Sequence, residues 1–187
     1  MMVLTVAPAV AGFHEGEAAY ARGDYRAALT EWRPLAERGD RRAQRRVAEI
    51  YRDGKGVWKD FEQAAAWFRL AAAQGDPEAQ YSLGYIQFAG LVFPRDLDEM
   101  LRWLMTAAAH GHGEAQITLG AVHEYGLESL PRDRAQALKW YRLATMNVTG
   151  PRRELVLRAV ERVAAKMSPA EIVEAERMID AWKPAAD

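Results

Sequence analysis

Residues 79–108 read AQYSLGYIQFAGLVFPRDLDEMLRWLMTAA, and this stretch occurs three times along the chain with small changes. The preceding copy, residues 43–72, reads AQRRVAEIYRDGKGVWKDFEQAAAWFRLAA. The following copy, residues 115–145, reads AQITLGAVHEYGLESLPRDRAQALKWYRLAT. The Ala-Gln pair that opens each copy stands at residues 43, 79 and 115, a period of 36 residues. A period of this length predicts a repeat protein built from one supersecondary unit per copy.

Each copy predicts two helices. A glycine follows the first helix, because a residue in the left-handed conformation costs least without a Cβ atom. An aspartate precedes the second helix, and a Gln or Glu three residues later completes a capping-box pattern. No stretch shows the sustained alternation that predicts a strand. The first helices are predicted at 43–52, 79–89 and 115–125, the glycines are Gly54, Gly90 and Gly126, and the aspartates are Asp60, Asp96 and Asp133.

The repeats divide the chain into segments. We expect the repeat region at 13–150 and a C-terminal helical cap at 151–187, since a repeat stack needs a terminal unit that covers its last apolar face. The cap is predicted to form helices over 154–166 and 169–182, the second of which opens with a Ser-Pro-Ala-Glu capping box. Within the repeat region we expect a shortened unit at 13–42 and full units at 43–78, 79–114 and 115–150.

Four tryptophans recur at close to the same period: Trp32, Trp67, Trp103 and Trp140. Each has an alanine four positions later, and in the last three a second small residue follows, which predicts that large and small side chains pack together in the core. Trp58 lies off this pattern, in the loop before a second helix, and we interpret it as packed within that loop; an exposed contact residue is the alternative.

Composition excludes several classes of protein. The 187 residues carry 25 Lys and Arg against 26 Asp and Glu, and they include no cysteine. Disulfides, thiolate nucleophiles and cysteine-based metal sites are therefore excluded. Residues 41–46 contain four arginines that could bind phosphate, but acidic residues surround them and the chain is close to neutral, so we expect no nucleic-acid partner. No apolar run reaches the roughly 20 residues that a membrane-spanning helix needs, so we expect no membrane insertion.

The first residues, 1–12, are uncharged and mostly apolar. They end in a small-x-small pattern of the kind that precedes a signal-peptidase site. Because a basic segment is missing before them, we expect the remnant of a truncated signal peptide and hence a periplasmic or secreted protein; a cytoplasmic location is the alternative.

The repeated residues identify a family. The pattern Ala-x3-Leu-Gly, a glycine-containing loop, then Asp-x6-Trp and Ala-Ala resembles the Sel-like repeat, a bacterial relative of the tetratricopeptide repeat. The first copy departs from it with Val47-Ala48 in place of Leu-Gly. The resemblance implies an all-α, right-handed α-solenoid of antiparallel helix pairs. It also implies a non-enzymatic scaffold that binds another protein or a peptide on its concave face. Weak hydrolase or β-lactam-binding activity, linked to some relatives, and a purely structural spacer role are the alternatives.

A partner would contact the variable positions of the first helices, which alternate with the repeat's Ala, Leu and Gly at helical spacing. Aromatic side chains there would supply rigid contact area, and arginines would bind a carboxylate in bidentate fashion. This face changes along the chain from arginine-rich to aromatic to mixed. The predicted partner-binding residues are Arg42, Arg45, Glu49, Arg52, Tyr81, Tyr85, Phe88, Ile117, Glu124 and Tyr125.

The sequence predicts no catalytic residue, metal site or cofactor. A His-x-His pattern at His110 and His112, with Glu114 nearby, could bind a metal, but no third ligand is fixed by spacing. We interpret it as the C-terminus of a helix, where a cationic histidine favours the helix dipole. The few serines have no His or Lys at a spacing typical of nucleophilic catalysis. We expect a monomer.

Overall fold

A computed structural model describes residues 8–128 and 130–185. Ten helices form within these residues, and the described part of the chain contains no β-strand, only one isolated bridge between Leu127 and Leu130. The all-α prediction is therefore confirmed. The helices are α1 (Pro8–Ala21), α2 (Tyr25–Glu37), α3 (Arg41–Asp53), α4 (Phe61–Ala73), α5 (Pro77–Ala89), α6 (Leu97–Ala109), α7 (Gly113–Tyr125), α8 (Arg134–Asn147), α9 (Gly150–Ala164) and α10 (Pro169–Asp180).

The chain divides into two compact units, Met1–Asp96 and Leu97–Asp187. The first contains α1 to α5 and the second contains α6 to α10. This division was not expected from the repeat pattern. Residues 1–7 of the expected signal remnant lie outside the described residues, and α1 already begins at Pro8, before the predicted end of that remnant.

Helix starts follow the predicted capping chemistry. The Asp60 and Asp133 side chains each accept a hydrogen bond from the backbone N–H three residues later, at 2.9 Å. Asp76 does the same for α5, ahead of its N-terminal proline. Ser168 and Glu171 form the reciprocal capping box at the start of α10. Each such cap satisfies backbone donors that the helix itself leaves unpaired, which contributes about 1 kcal/mol.

The tryptophan prediction is correct for two of the four positions. Trp32 and Trp140 are buried. Trp32 is covered by α1, and the Trp182 ring packs edge-on against Trp140 at 5.0 Å between centroids. Trp67 and Trp103 are only partly buried, because the next residue of each helix, Phe68 or Leu104, occupies the centre of the buried stripe.

A glutamine of each repeat links successive helices. The Gln44, Gln80 and Gln116 side chains, all buried, donate to the carbonyl eight residues earlier, at 3.1, 3.2 and 3.1 Å. That carbonyl belongs to the end of the preceding second helix, where intrahelical donors run out. The sequence shows these glutamines at the repeat period, but their side-chain bonds were not predicted.

Candidate functional site

In the first unit, α1, α3 and α5 are joined by charged side chains. The Arg46 guanidinium binds both carboxylate oxygens of Glu17 on α1, at 2.7 and 2.8 Å, and Glu49 at 2.9 Å. Glu49 also accepts from Arg45 at 2.8 Å, and Arg45 lies 3.3 Å from Asp76, the N-cap of α5. These bonds run from one first helix to the next, so the first helices lie side by side within this unit.

Burial determines the energetics of this ion-pair chain. Glu49 is 8% exposed and lies between two arginines. Burial by itself lowers the pKa of Arg46, but hydrogen bonds to Glu17 and Glu49 outweigh it, so the pKa of Arg46 is raised. The buried carboxylate of Glu49 is compensated by two guanidinium groups, each of which has a second carboxylate partner on a neighbouring helix. The cluster therefore acts in docking α3 between its neighbours, and we leave Arg45 and Glu49 out of the proposed binding surface.

The other arginines of the 41–46 stretch also have partners within the unit. Arg41 donates to the backbone carbonyl of Gln74 at 3.1 Å. The Arg42 guanidinium lies 4.3 Å from the centroid of the Phe13 ring and 3.8 Å from Asp40. Arg42 is exposed, so its outer face remains accessible to solvent. The stretch is thus mostly committed to contacts with its own chain.

Arg52 connects the end of α3 to α5. Its guanidinium pairs with Asp53 at 2.8 Å, donates to the Ser82 hydroxyl at 3.3 Å and lies 4.0 Å from Glu78. Burial opposes its charge, but the hydrogen bond to Asp53 and the nearby carboxylates together outweigh burial, so the pKa of Arg52 is raised. Arg52 is half-buried, next to the helix that carries the predicted aromatic residues.

Three of the predicted aromatic residues share one face of α5. Tyr81, Tyr85 and Phe88 follow the i, i+4, i+7 spacing of a helical face. Tyr81 is half-buried, whereas Tyr85 is 53% exposed and Phe88 38% exposed. The Arg95 guanidinium lies 4.5 Å from the centroid of the Phe88 ring. We call Tyr81, Tyr85 and Phe88 the aromatic stripe.

In the second unit, the predicted residues Glu124 and Ile117 take part in packing the C-terminal helices. Glu124 accepts two hydrogen bonds from Arg162 of α9 at 2.8 Å, and one from the Tyr141 hydroxyl at 3.0 Å. The bonds from Arg162 lower the pKa of Glu124, and burial raises the pKa of Tyr141. Ile117 packs against the core cluster of α8, α9 and α10.

A second bidentate pair fixes the direction of α9. Glu114, at the start of α7, pairs with Arg152 at the start of α9, while Glu124 and Arg162 pair at the opposite ends of these helices. α9 therefore lies parallel to α7 and covers it, as the first helix of a further repeat would. Glu124 and Ile117 are left out of the proposed binding surface for this reason. Tyr125, also predicted, is 58% exposed.

Sequence reasoning was wrong about Trp58. The side chain is 94% exposed, where packing within its loop was expected. His112 has a different helix-end role from the expected one at a C-terminus: its Nδ1 atom accepts from the backbone N–H of Ala115 at 3.1 Å and caps the N-terminus of α7.

Among the described residues, no group of three or more potential metal ligands lies together. No helix in the same part of the chain has both the length and the apolar composition to cross a membrane.

Comparison with known proteins supplies the family. The Sel1 repeat model matches residues 41–76, 77–112 and 113–147, more than half of the chain. The crystal structure of c5321, described as a protective antigen present in uropathogenic Escherichia coli strains and displaying an SLR fold, superposes with a TM-score of 0.75 at 25% identity. The match covers 92% of this chain and 38% of that protein, so the chain spans well under half of its length.

A second solved structure supports the fold alone. A Sel1 repeat protein from Oxalobacter formigenes superposes with a TM-score of 0.69 at 24% identity, over 89% of this chain and 74% of that one. Together these matches show that the fold class is an α-solenoid, as predicted. Among curated proteins, no sequence matches this chain significantly.

Proposed function

The chain belongs to the Sel1 repeat family, and on that premise we propose that it is a non-enzymatic scaffold whose aromatic stripe binds a peptide segment of a partner protein. Proteins with the Sel1 repeat fold are in general scaffolds for protein interactions. The finer proposal rests on one observation: Tyr85 and Phe88 are exposed on one face of α5, whereas Ala79, Leu83 and Ile86 of the same helix are buried.

The chemistry of the stripe suits a peptide. Tyr and Phe rings provide large, rigid contact areas that lose little conformational entropy on binding, and such residues are enriched among interface hot spots. The buried neighbours Leu83, Ile86 and Gln87 fix the backbone from which the rings project. The exposed area of the rings can therefore be used for a partner without loss of the core.

Charge near the stripe favours a partner that carries both apolar and acidic residues. Arg95 lies over the Phe88 ring, and Arg52, which already pairs with Asp53, reaches the Ser82 hydroxyl of α5. Both guanidinium groups are oriented by contacts within their own unit, which reduces the entropy that binding would cost. A carboxylate next to an aromatic or aliphatic residue would complement this arrangement.

The test is selection from displayed random peptides of twelve residues. In the Trp58→Ala background, which removes the exposed indole of the same unit, we expect the protein to enrich peptides with an apolar residue next to Asp or Glu, and the added Tyr85→Ala/Phe88→Ala substitutions to abolish that enrichment. A residue that contributes about 2 kcal/mol corresponds to roughly a 30-fold loss of affinity. Leu70→Ala is the matched control, because Leu70 is 50% exposed on α4 of the same unit.

Two results would count against this function. Enrichment that survives the double substitution would move the site away from the stripe, and equal losses in the Leu70→Ala control would indicate a non-specific apolar surface. The double variant needs to keep its helical circular dichroism, which we expect because neither ring is part of the core. Export remains a proposal based on residues 1–12, and cell fractionation of the tagged full-length protein tests it.

A further inference from the structure

Trp58 is the most exposed large apolar side chain of the described residues, at 94%. An indole that could bury roughly 150–250 Å² is instead surrounded by solvent. Its loop is nevertheless tied down at both ends. The backbone N–H of Lys55 donates to Ile50 at 3.1 Å, and that of Asp60 donates to Tyr51 at 3.0 Å.

The centre of this loop packs against the start of α2. Gly56 has a φ of +71°, and a Cβ atom there would lie 2.9 Å from the Cβ of Tyr25 and 3.2 Å from the Arg26 backbone nitrogen. Only glycine fits such a position without displacement. The loop therefore presents Trp58 from a fixed backbone, as a preorganised contact residue would be presented.

A depression of about 440 Å³ lies beside the indole. Gly54 and Gly56 provide backbone at its surface, Val57 and Trp58 provide apolar contact, and Arg26 provides a cation. The Nε atom of Arg26 donates to the Gly56 carbonyl at 3.1 Å, which orients the guanidinium. Within the described part of the chain this is the hydrogen bond that the Arg26 side chain makes, so its two terminal nitrogens are available for a bidentate carboxylate.

A second cation lies next to Trp58 in the chain. Lys59 is exposed, and its ammonium group lies 5.6 Å from the centroid of the Phe61 ring without a carboxylate partner among the described residues. Two cations without acidic partners next to an exposed indole complement an anionic group that is attached to an apolar one. Lys55 of the same loop, by contrast, pairs with Asp53 at 3.2 Å.

A peptide fits this surface better than an anionic bilayer does. Membrane-surface segments combine several apolar side chains with many cations. Here one large apolar side chain is exposed, and the helix-capping carboxylates Asp24 and Asp60 lie in the adjacent helix starts. These carboxylates would repel an extended negative surface, whereas a single peptide carboxylate can approach Arg26 from the depression.

We propose that Trp58, Val57 and Arg26 form a second docking surface, separate from the aromatic stripe, for a peptide segment in which Asp or Glu adjoins an apolar residue or proline. The indole stacks on the apolar residue, and Arg26 binds the carboxylate. Lys59 adds attraction at longer range. The surface extends the proposed scaffold function, since a chain with two such surfaces can bind two segments of one partner at once.

The test uses an array of eight-residue peptides that carry one Asp or Glu among Pro, Leu, Val and Ala. A second array carries Lys in place of the acidic residue. In the Tyr85→Ala/Phe88→Ala background, which lacks the exposed rings of the aromatic stripe, we expect the protein to bind members of the acidic array, and the added Trp58→Ala or Arg26→Gln substitution to lower the affinity at least tenfold. Leu70→Ala controls for removal of an exposed apolar side chain elsewhere in the unit. Trp58→Ala is expected to fold normally, because the side chain is almost entirely exposed.

Each other outcome overturns the inference. No bound peptide, equal binding of the Lys array, or binding that survives Trp58→Ala would refute the docking surface. Trp58-dependent binding to phosphatidylglycerol vesicles without acidic-peptide binding would assign the residue to a membrane surface instead. The Tyr85→Ala/Phe88→Ala variant is expected to keep acidic-peptide binding here, so failure of the stripe and failure of this surface are distinguishable.

Discussion

Gly16 is where the packing of α1 on Trp32 allows the sharpest perturbation. A Cβ atom at Gly16 would lie 2.2 Å from the Nε1 atom of the Trp32 ring, more than 1 Å closer than ordinary van der Waals contact. Trp32 is fully buried, and its Nε1 donates to the Phe13 carbonyl at 3.1 Å. The ring therefore cannot move aside without loss of that bond and of core contacts.

The expected cost of Gly16→Ala follows from three contributions. Overpacking typically costs about 1–3 kcal/mol. The lost hydrogen bond of Trp32 adds about 1 kcal/mol. The better helix propensity of alanine returns about 1 kcal/mol. We expect a net loss of about 2 kcal/mol in the free energy of unfolding, measured by urea denaturation with circular dichroism.

Gly12→Ala is the matched control on the same helix. A Cβ atom at Gly12 would lie 3.7 Å from Glu31 and 3.8 Å from Leu35, which is ordinary contact. Alanine there should stabilise the protein by about 0.5–1 kcal/mol through helix propensity. If Gly16→Ala is as stable as wild type while Gly12→Ala shows its gain, the packing of α1 on Trp32 is refuted.

Three further predictions concern the second unit. The pKa of Glu124 in the folded protein is lowered from 4.5, so its hydrogen bonds stabilise the fold fully above pH 4.5 and are lost as the pH falls through the folded-state pKa. Glu124→Gln should therefore be less stable than wild type near pH 7. Measurements of the unfolding free energy at decreasing pH should show the gap between wild type and variant shrinking below pH 4.5. His112→Asp should raise the free energy of unfolding by about 0.5–1 kcal/mol and with it the melting temperature, since Asp is a stronger N-cap than His and favours the helix dipole. A lower melting temperature would contradict the role of residue 112 as the N-cap of α7. Gln116→Met should cost about 1–3 kcal/mol in urea denaturation, because the Ala108 carbonyl loses its buried donor, and an unchanged midpoint would show that the glutamine bond is dispensable.

The sequence predicted most of the fold, because local chemistry determines it. The 36-residue period, the aspartate caps and the glycines that end helices all act within a few residues of their own position. Most helices accordingly begin and end within about two residues of the expected bounds. The fully buried tryptophans were harder to identify, since Trp32 and Trp140 differ from Trp67 and Trp103 only in what other helices place over them.

The candidate site was less predictable, because its features depend on long-range partners. Glu124 has the spacing of a surface residue, and only its pairing with Arg162, on a helix outside the repeat pattern, shows that it packs against the cap. Arg46 similarly pairs with Glu17 on α1 as well as with Glu49 on its own helix. Trp58 lies in a loop, where periodicity carries no information about exposure. The aromatic spacing on α5, by contrast, was visible in the sequence.

The central claim, that the aromatic stripe is the contact surface for a partner protein, is tested most directly by site-specific photo-crosslinking in the producing cells. Benzoylphenylalanine would replace Tyr85 in one strain and Leu70 in another, since both side chains are about half exposed in the same unit. We predict that irradiation joins the Tyr85-position variant to one discrete protein, that the Leu70-position variant gives no such product, and that Phe88→Ala weakens the crosslink. The same product from both positions, or none from position 85, would contradict the account.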